Sequence, residues 1–109
     1  MFVLFDNGTP RGLARLLTDH VVVEARTRGW EELVNGDLID AAERAGFEVL
    51  VTTDKNIRYQ QNLKARRIAL VVLENSQWPM VRTVAGQIVS VVNTAEPGSY
   101  CEVAVPFKK

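Results

Sequence analysis

The sequence predicts an α/β fold: a small three-layer α/β/α domain with a mainly parallel sheet of about five strands. Short apolar runs alternate along the chain with stretches of helical periodicity, which is the order typical of parallel strands joined by helical crossovers. The run at residues 68–73 is apolar throughout, as expected of a strand that is buried on both faces of a sheet. A length of 109 residues favours one domain over residues 1–109.

The N-terminal part of the chain predicts two strands with a helix between them. The apolar run at residues 2–5 ends at an Asp-Asn-Gly turn signal at residues 6–8. Thr9 and Pro10 then have the residue types of a helix N-cap and of a first helical position. Residues 21–23 are three consecutive valines, and their β-branched side chains favour a second strand.

The middle of the chain predicts a helix and two further strands. Asn35 is of a type that caps helices, and the helix that follows it ends at Gly46, a natural C-cap. Residues 49–51 form the third predicted strand and residues 68–73 the fourth. The polar stretch between them, residues 55–67, is expected to hold one short helix.

The C-terminal third predicts a helix and an edge strand. Trp78 and Pro79 open a long helix with an apolar stripe, and Trp78 is interpreted as an anchor at its start. A Pro-Gly turn at residues 97–98 leads into residues 100–105, which alternate between polar and apolar side chains. This alternation indicates a strand at the edge of the sheet.

Composition narrows the class of protein. Thirteen basic residues balance thirteen acidic ones, so the net charge of zero does not indicate a nucleic-acid binder, and any attraction for phosphate must come from a local patch.

Cys101 is the only cysteine, which excludes an internal disulfide and fits a reducing cytoplasm. The N-terminus lacks the pattern of a signal peptide, and no apolar run approaches the ~18 residues of a membrane span. We expect a cytoplasmic protein without a membrane partner.

Two aspartates follow predicted strands at the points where those strands end. Asp6 comes after the first strand and Asp54 after the third. If the strands are parallel neighbours, both carboxylates emerge at the carboxyl edge of the sheet, where open α/β folds bind ligands. Asn35, at the start of a helix, converges on the same edge, and these oxygen donors suit Mg²⁺ or Mn²⁺. The alternative is that all three residues serve ordinary turns and helix caps.

A polar segment follows Asp54 directly. Amide and basic side chains with one aromatic ring suit contacts with phosphate and with the bases of single-stranded RNA, where the ring would stack. The alternative is a solvated helix face. The candidate RNA-binding residues are Lys55, Asn56, Arg58, Tyr59, Gln60 and Gln61, with Arg11 of the first helix as a weaker candidate.

Three stretches of the chain resemble the PIN-like domains related to VapC toxins, in particular a subfamily of small bacterial proteins. They are Phe-Val-Leu-Phe-Asp-Asn at residues 2–7 with Pro10, Leu13 and Ala14; Asn-Gly-Asp-Leu-Ile at residues 35–39 with Ala42; and Val-Leu-Val-Thr-Thr-Asp-Lys-Asn at residues 49–56. The strand-Thr-Xaa-Asp element at residues 51–54 is the most specific piece. The C-terminal third matches in pattern only.

The resemblance implies a PIN-like fold and a metal-dependent endoribonuclease, the toxin-like component of a toxin–antitoxin pair. Mg²⁺ or Mn²⁺ would be held by Asp6 and Asp54, and a metal-activated water would cleave RNA. The family's middle acid falls on Asn35, which offers a neutral carbonyl oxygen in place of a negative charge. Asp37 is a less favoured ligand, because its position suits a charge on the helix N-terminal dipole. The expected partners are RNA, a cognate antitoxin protein and a second copy of the chain.

Two other functions stay open at this point. The substitution at Asn35 favours a PIN-like module that binds RNA or protein with weak or absent catalysis. The third hypothesis is that the chain is a purely structural protein that binds a partner through the predicted long helix.

Overall fold

A five-stranded sheet, parallel throughout, forms the centre of the protein in the part of the chain that the structure describes. The computed structural model describes residues 1–33, 35–55, 57 and 66–106, with only the backbone of Asn35. The strands lie in the order β2-β1-β3-β4-β5. Their bounds are Phe2–Phe5 for β1, Val21–Glu24 for β2, Val49–Thr52 for β3, Ala69–Leu73 for β4 and Tyr100–Val103 for β5. The predicted α/β class with about five mainly parallel strands is confirmed.

Helices connect these strands. Short 3-10 helices lie at Arg11–Leu16 and Ala25–Arg28. The α-helices whose bounds fall within the described residues are α1 at Asn35–Arg44, α2 at Trp78–Thr83 and α3 at Ala85–Asn93. None of the described helices is long and apolar enough to cross a membrane.

Two apolar cores lie on opposite faces of the sheet, because successive side chains of a strand point to opposite sides. On β1, Phe5 joins the first core and Leu4 the second. The first core packs against the first 3-10 helix, α2 and α3, whereas the second packs against α1. All five residues of β4 are buried, as the continuous apolar run predicts. Each fully buried Leu or Ile side chain contributes about 1.5–3 kcal/mol relative to an exposed one.

The first predicted helix differs from expectation at its start. The side chain of Thr9 does not cap the 3-10 helix at Arg11–Leu16; its hydroxyl donates to the carbonyl oxygen of Val51 at 2.8 Å. The residue that precedes this helix is Pro10, which has no capping side chain. Because Thr9 is buried, its hydroxyl needs a hydrogen-bond partner within the protein, and the neighbouring strand β3 provides it.

The predicted long C-terminal helix is divided into α2 and α3. Val84 lies between them at φ −116° and ψ 17°, outside the helical region. The predicted anchor at the helix start is present, since Trp78 packs so closely on Gly12 that a Cβ there would lie 2.6 Å from the indole ring. The strand β5 lies at an edge of the sheet, as predicted, and Cys101 on it is half-buried.

Candidate metal centre

The carboxyl edge of the sheet brings the residues after β1 and β3 side by side. The two strands are parallel neighbours, and Phe5 lies opposite Val51 in the register. The backbone N–H of Asp6 continues this ladder by donating to the carbonyl oxygen of Val51 at 3.0 Å. Asp6 and Asp54 therefore both follow the ends of paired strands, as the sequence predicts.

A single threonine hydroxyl connects the two aspartates. The Oγ1 atom of Thr52 donates to Oδ2 of Asp6 at 2.8 Å and accepts from the backbone N–H of Asp54 at 3.1 Å. The Thr52 side chain is fully buried, so this geometry is held by the packing of β3. Oδ1 of Asp6 accepts from the N–H of Asn7 at 2.8 Å, which fixes the plane of the carboxylate.

The loops on either side of this network are packed on each other. Asn7 donates its side-chain amide to the carbonyl oxygen of Glu31 at 2.7 Å, which ties the loop after β1 to the chain that leads into α1. Gly8 lies so close to the loop after β3 that a Cβ would stand 2.6 Å from Oγ1 of Thr53. A side chain at position 8 would therefore push against the residue next to Asp54.

Helix α1 starts at the same edge of the sheet. The chain leaves β2 at its carboxyl end and enters β3 at its amino end, so α1, which connects them, begins beside the carboxyl edge. Asn35 is the first residue of this helix rather than the residue before it. Asp37 is exposed in the first turn, where a negative charge interacts favourably with the helix dipole.

The donors at this edge suit a hydrated divalent ion. Asp6 keeps lone pairs on both oxygens beyond the two hydrogen bonds that it accepts. Within the described residues, no three Asp, Glu, His or Cys side chains are grouped closely enough to hold a metal. Mg²⁺ is ordinarily held by one or two carboxylates, with waters and substrate phosphate completing its shell. The described residues therefore offer such an ion a pair of carboxylates rather than a cage of acids.

The predicted RNA-binding residues are described only in part. Lys55 is exposed directly after Asp54, and Ile57 is buried in the second core, which fixes the start of the segment. Arg11 is exposed and its Nε–H donates to Oε1 of Glu24 at 2.9 Å. The other predicted contacts, Asn56, Arg58, Tyr59, Gln60 and Gln61, lie outside the described residues.

Two further residues near this edge make supporting hydrogen bonds. Asn75, after β4, donates its amide to the carbonyl oxygens of Val105 at 3.3 Å and Pro106 at 2.9 Å, so it holds the C-terminal segment. Thr52 belongs to the strand-Thr-Xaa-Asp element at residues 51–54, but the sequence analysis assigns no role in the site to its side chain. The available signal was the first of two consecutive threonines, Thr52 and Thr53, which lie between an apolar strand and Asp54.

A second acidic group lies at the amino end of the sheet. Asp40 and Glu43 of α1 both pair with the guanidinium of Arg66, Glu43 at 2.9 Å. The hydrogen bond from Arg66 holds the pKa of Asp40 below its usual value. Burial raises the pKa of Glu43, but hydrogen bonds from Arg66 and from the N–H groups of Arg67 and Ile68 outweigh this and leave it lowered. The pKa of Arg66 is raised in turn by its bonds to Asp40 and Glu43.

Comparison of the chain with family models, with curated proteins and with solved structures gives no match. These comparisons therefore assign no family, and the PIN-like resemblance stays a prediction.

Proposed function

We propose that this protein is a metal-dependent endoribonuclease of the PIN-like type. The observation that carries the proposal is the shared Thr52 hydroxyl, which holds Asp6 and the backbone of Asp54 together at the carboxyl edge of a parallel sheet. Parallel α/β sheets bind ligands at this edge. Two carboxylates there provide hard oxygen ligands for Mg²⁺ or Mn²⁺.

The roles of the residues follow from their positions. Asp6 and Asp54 would hold the metal, and Asn35 would add a neutral carbonyl oxygen from the start of α1. Thr52 keeps the Asp6 carboxylate in one orientation. A bound metal supplies a water of lowered pKa and stabilises charge on the phosphate. Exposed Lys55 is placed to attract the RNA backbone next to Asp54.

The biological role rests on the sequence resemblance. A VapC-like protein would be the toxin of a toxin–antitoxin pair, with RNA as its substrate and an antitoxin protein as its cognate partner. A homodimer and a cytoplasmic location belong to the same proposal.

RNA cleavage in Mn²⁺ or Mg²⁺ tests the activity. Asp6→Asn and Asp54→Asn should each lower the rate by more than about 100-fold, because substituting even a residue behind a metal ligand costs about 10- to 100-fold. Asp19→Asn is the matched control, since Asp19 is exposed in the loop before β2, at the other end of the sheet. Equal activity in wild type and the two site variants would overturn the proposal.

A second candidate function is an RNA- or protein-binding module with weak or absent catalysis. It is favoured by Asn35 in place of an acid and by the lack of a third ligating acid among the described residues. This candidate predicts RNA binding of equal strength in EDTA and in Mn²⁺, measured by fluorescence anisotropy. Binding that EDTA abolishes would exclude it.

A further inference from the structure

A cleft opens beside the candidate metal centre, at the edge of the sheet formed by β2. Its volume of about 410 Å³ lies within the usual range of small-molecule sites, about 300–1,000 Å³. Its lining residues are of two kinds. We call the apolar ones, Phe5, Ala14, Val22 and Val23, the floor, and the polar ones, Arg11, Glu24 and Thr27, the rim.

The rim carries donors and acceptors side by side. Arg11 uses its Nε–H to bind Oε1 of Glu24 at 2.9 Å, and this is the one hydrogen bond made by either side chain within the described residues. The terminal amino groups of Arg11 and the second oxygen of Glu24 are therefore available to a ligand. The Thr27 hydroxyl donates to the carbonyl oxygen of Glu24 at 2.7 Å, which holds the backbone of the rim.

The combination of an apolar floor with such a rim matches the chemistry of a nucleobase. The flat ring covers apolar side chains, and the edge of an unpaired base is read by hydrogen bonds. Guanine presents two adjacent donors, N1–H and the 2-amino group, which suit a carboxylate, and next to them O6, which accepts from a guanidinium. The other bases do not combine two adjacent donors with a neighbouring acceptor.

The register of β1 and β2 shows that the cleft lies close to the candidate metal centre. Glu24 lies opposite Phe5, and Asp6 is the next residue along β1. Neighbouring strands are about 4.8 Å apart, so the rim begins within one strand spacing and one residue of Asp6. Phe5 faces the first core and Asp6 follows it, so the cleft and the Asp6 carboxylate lie on opposite sides of the same edge.

We propose that this cleft is a base-binding subsite that selects guanine in single-stranded RNA through Glu24 and Arg11. An RNA chain that crosses the carboxyl edge of the sheet would place one base in the cleft and a neighbouring phosphate at Asp6 and Asp54. The position of this subsite relative to the cleaved phosphodiester bond rests on the proposed function. The selectivity of the subsite for guanine does not.

Metal-free binding tests the base selectivity. In EDTA, GMP should bind at least about 10-fold more tightly than AMP, CMP or UMP in calorimetric titrations. IMP, which lacks only the 2-amino group, should lose most of this advantage. Glu24→Gln should remove the preference for GMP over IMP, and Glu32→Gln, an exposed control, should keep it. Equal binding of GMP and IMP to the wild type, or an unchanged preference in Glu24→Gln, would overturn the subsite.

Cleavage mapping separates this proposal from the proposed function. On a random RNA pool in Mn²⁺, wild type should cut next to guanine, and Glu24→Gln should cut without regard to the neighbouring base. Cleavage by wild type without a guanine preference overturns the subsite and leaves the nuclease in place. Selective GMP binding without any cleavage supports the subsite and overturns the nuclease.

Discussion

Two pairs of acidic residues lie at opposite ends of the same sheet, and they are held in different ways. Asp6 and Asp54 lie at the carboxyl edge, where Asp6 accepts hydrogen bonds from a backbone N–H and a threonine hydroxyl, both neutral. Asp40 and Glu43 lie at the amino end, on the last turns of α1, where both share the cation of Arg66. The first arrangement orients the negative charge of Asp6, whereas in the second the cation of Arg66 offsets part of the charge of Asp40 and Glu43.

The difference separates a candidate ligand site from a structural contact. The charge of Glu43 stabilises the fold directly, because the lowered pKa means that its ionised form is favoured in the folded state. Asp6 has no cationic partner among the described residues, so its negative charge is available to a metal ion.

The largest effect expected to test the contrast between the two acidic pairs is stabilisation of the folded protein by Mn²⁺. At a concentration 100 times the dissociation constant, a ligand that binds only the folded state adds about 2.7 kcal/mol to the free energy of unfolding. We expect this gain in wild type and in Glu43→Gln, measured as a rise in Tm during thermal unfolding with Mn²⁺ and with EDTA. Asp6→Asn and Asp54→Asn should lack it.

The Glu43→Gln variant is the decisive control for that measurement, because it removes one negative charge at the other end of the sheet. If all four proteins gain equal stability from Mn²⁺, the ion binds elsewhere and the contrast between the two acidic pairs fails.

The next effect concerns the structural pair. Glu43→Ala removes the acceptor for Arg66 and for the N–H groups of Arg67 and Ile68, and the Glu43 side chain is only 15% exposed. We expect a loss of about 1.5–3 kcal/mol at pH 7, the range for hydrogen bonds to a charged group, measured by urea unfolding. Asp19→Ala, an exposed acid, should change stability by less than about 0.5 kcal/mol.

The pH dependence of this loss has a definite sign. The folded-state pKa of Glu43 is below its ordinary value of 4.5, so its contribution is present above pH 4.5 and disappears as the pH falls through the lowered folded-state value. The stability difference between wild type and Glu43→Ala should therefore narrow below about pH 4.5. A difference that is constant from pH 7 to pH 3 would show that the charge of Glu43 plays no part.

Local patterns in the sequence predict where Asp6 and Asp54 lie better than they predict ion pairs between distant parts of the chain. The positions of Asp6 and Asp54 follow from reading two apolar runs as parallel strands, since the ends of such strands meet at one edge. The partner of Asp40 does not follow in this way. Helical spacing favours Arg44 at i+4, but the carboxylate pairs with Arg66, because the chain returns to α1 just before β4.

The division at Val84 shows the same limit. Proline and aromatic residues at the helix start predict where α2 begins, but the sequence carries no signal as strong as a proline for the point where it ends. The Val84 backbone adopts a non-helical conformation while Val81 and Ala85 on either side both stay buried in the first core. Packing against the sheet therefore decides the break, and packing is not visible in local propensity.

The smallest expected effect, and the most specific, compares two buried threonines that lie next to Val51. Thr52 binds Asp6 and Asp54, whereas Thr9 donates to the Val51 carbonyl oxygen and contacts neither carboxylate. Replacing either by valine removes one buried hydroxyl, so Thr52→Val and Thr9→Val should each lose about 1 kcal/mol of stability. Only Thr52→Val should also weaken Mn²⁺ binding, by about 10- to 100-fold, because it alone orients a candidate ligand.

Titration of Mn²⁺ by calorimetry measures this second effect directly. The two variants match in residue type, burial and loss of a hydroxyl, so a difference between them in metal affinity reports orientation of Asp6 rather than general loosening of the edge. Equal affinities in both variants would reduce Thr52 to a structural hydrogen bond, and the carboxyl edge would then resemble the pair at Arg66 in function despite their difference in charge.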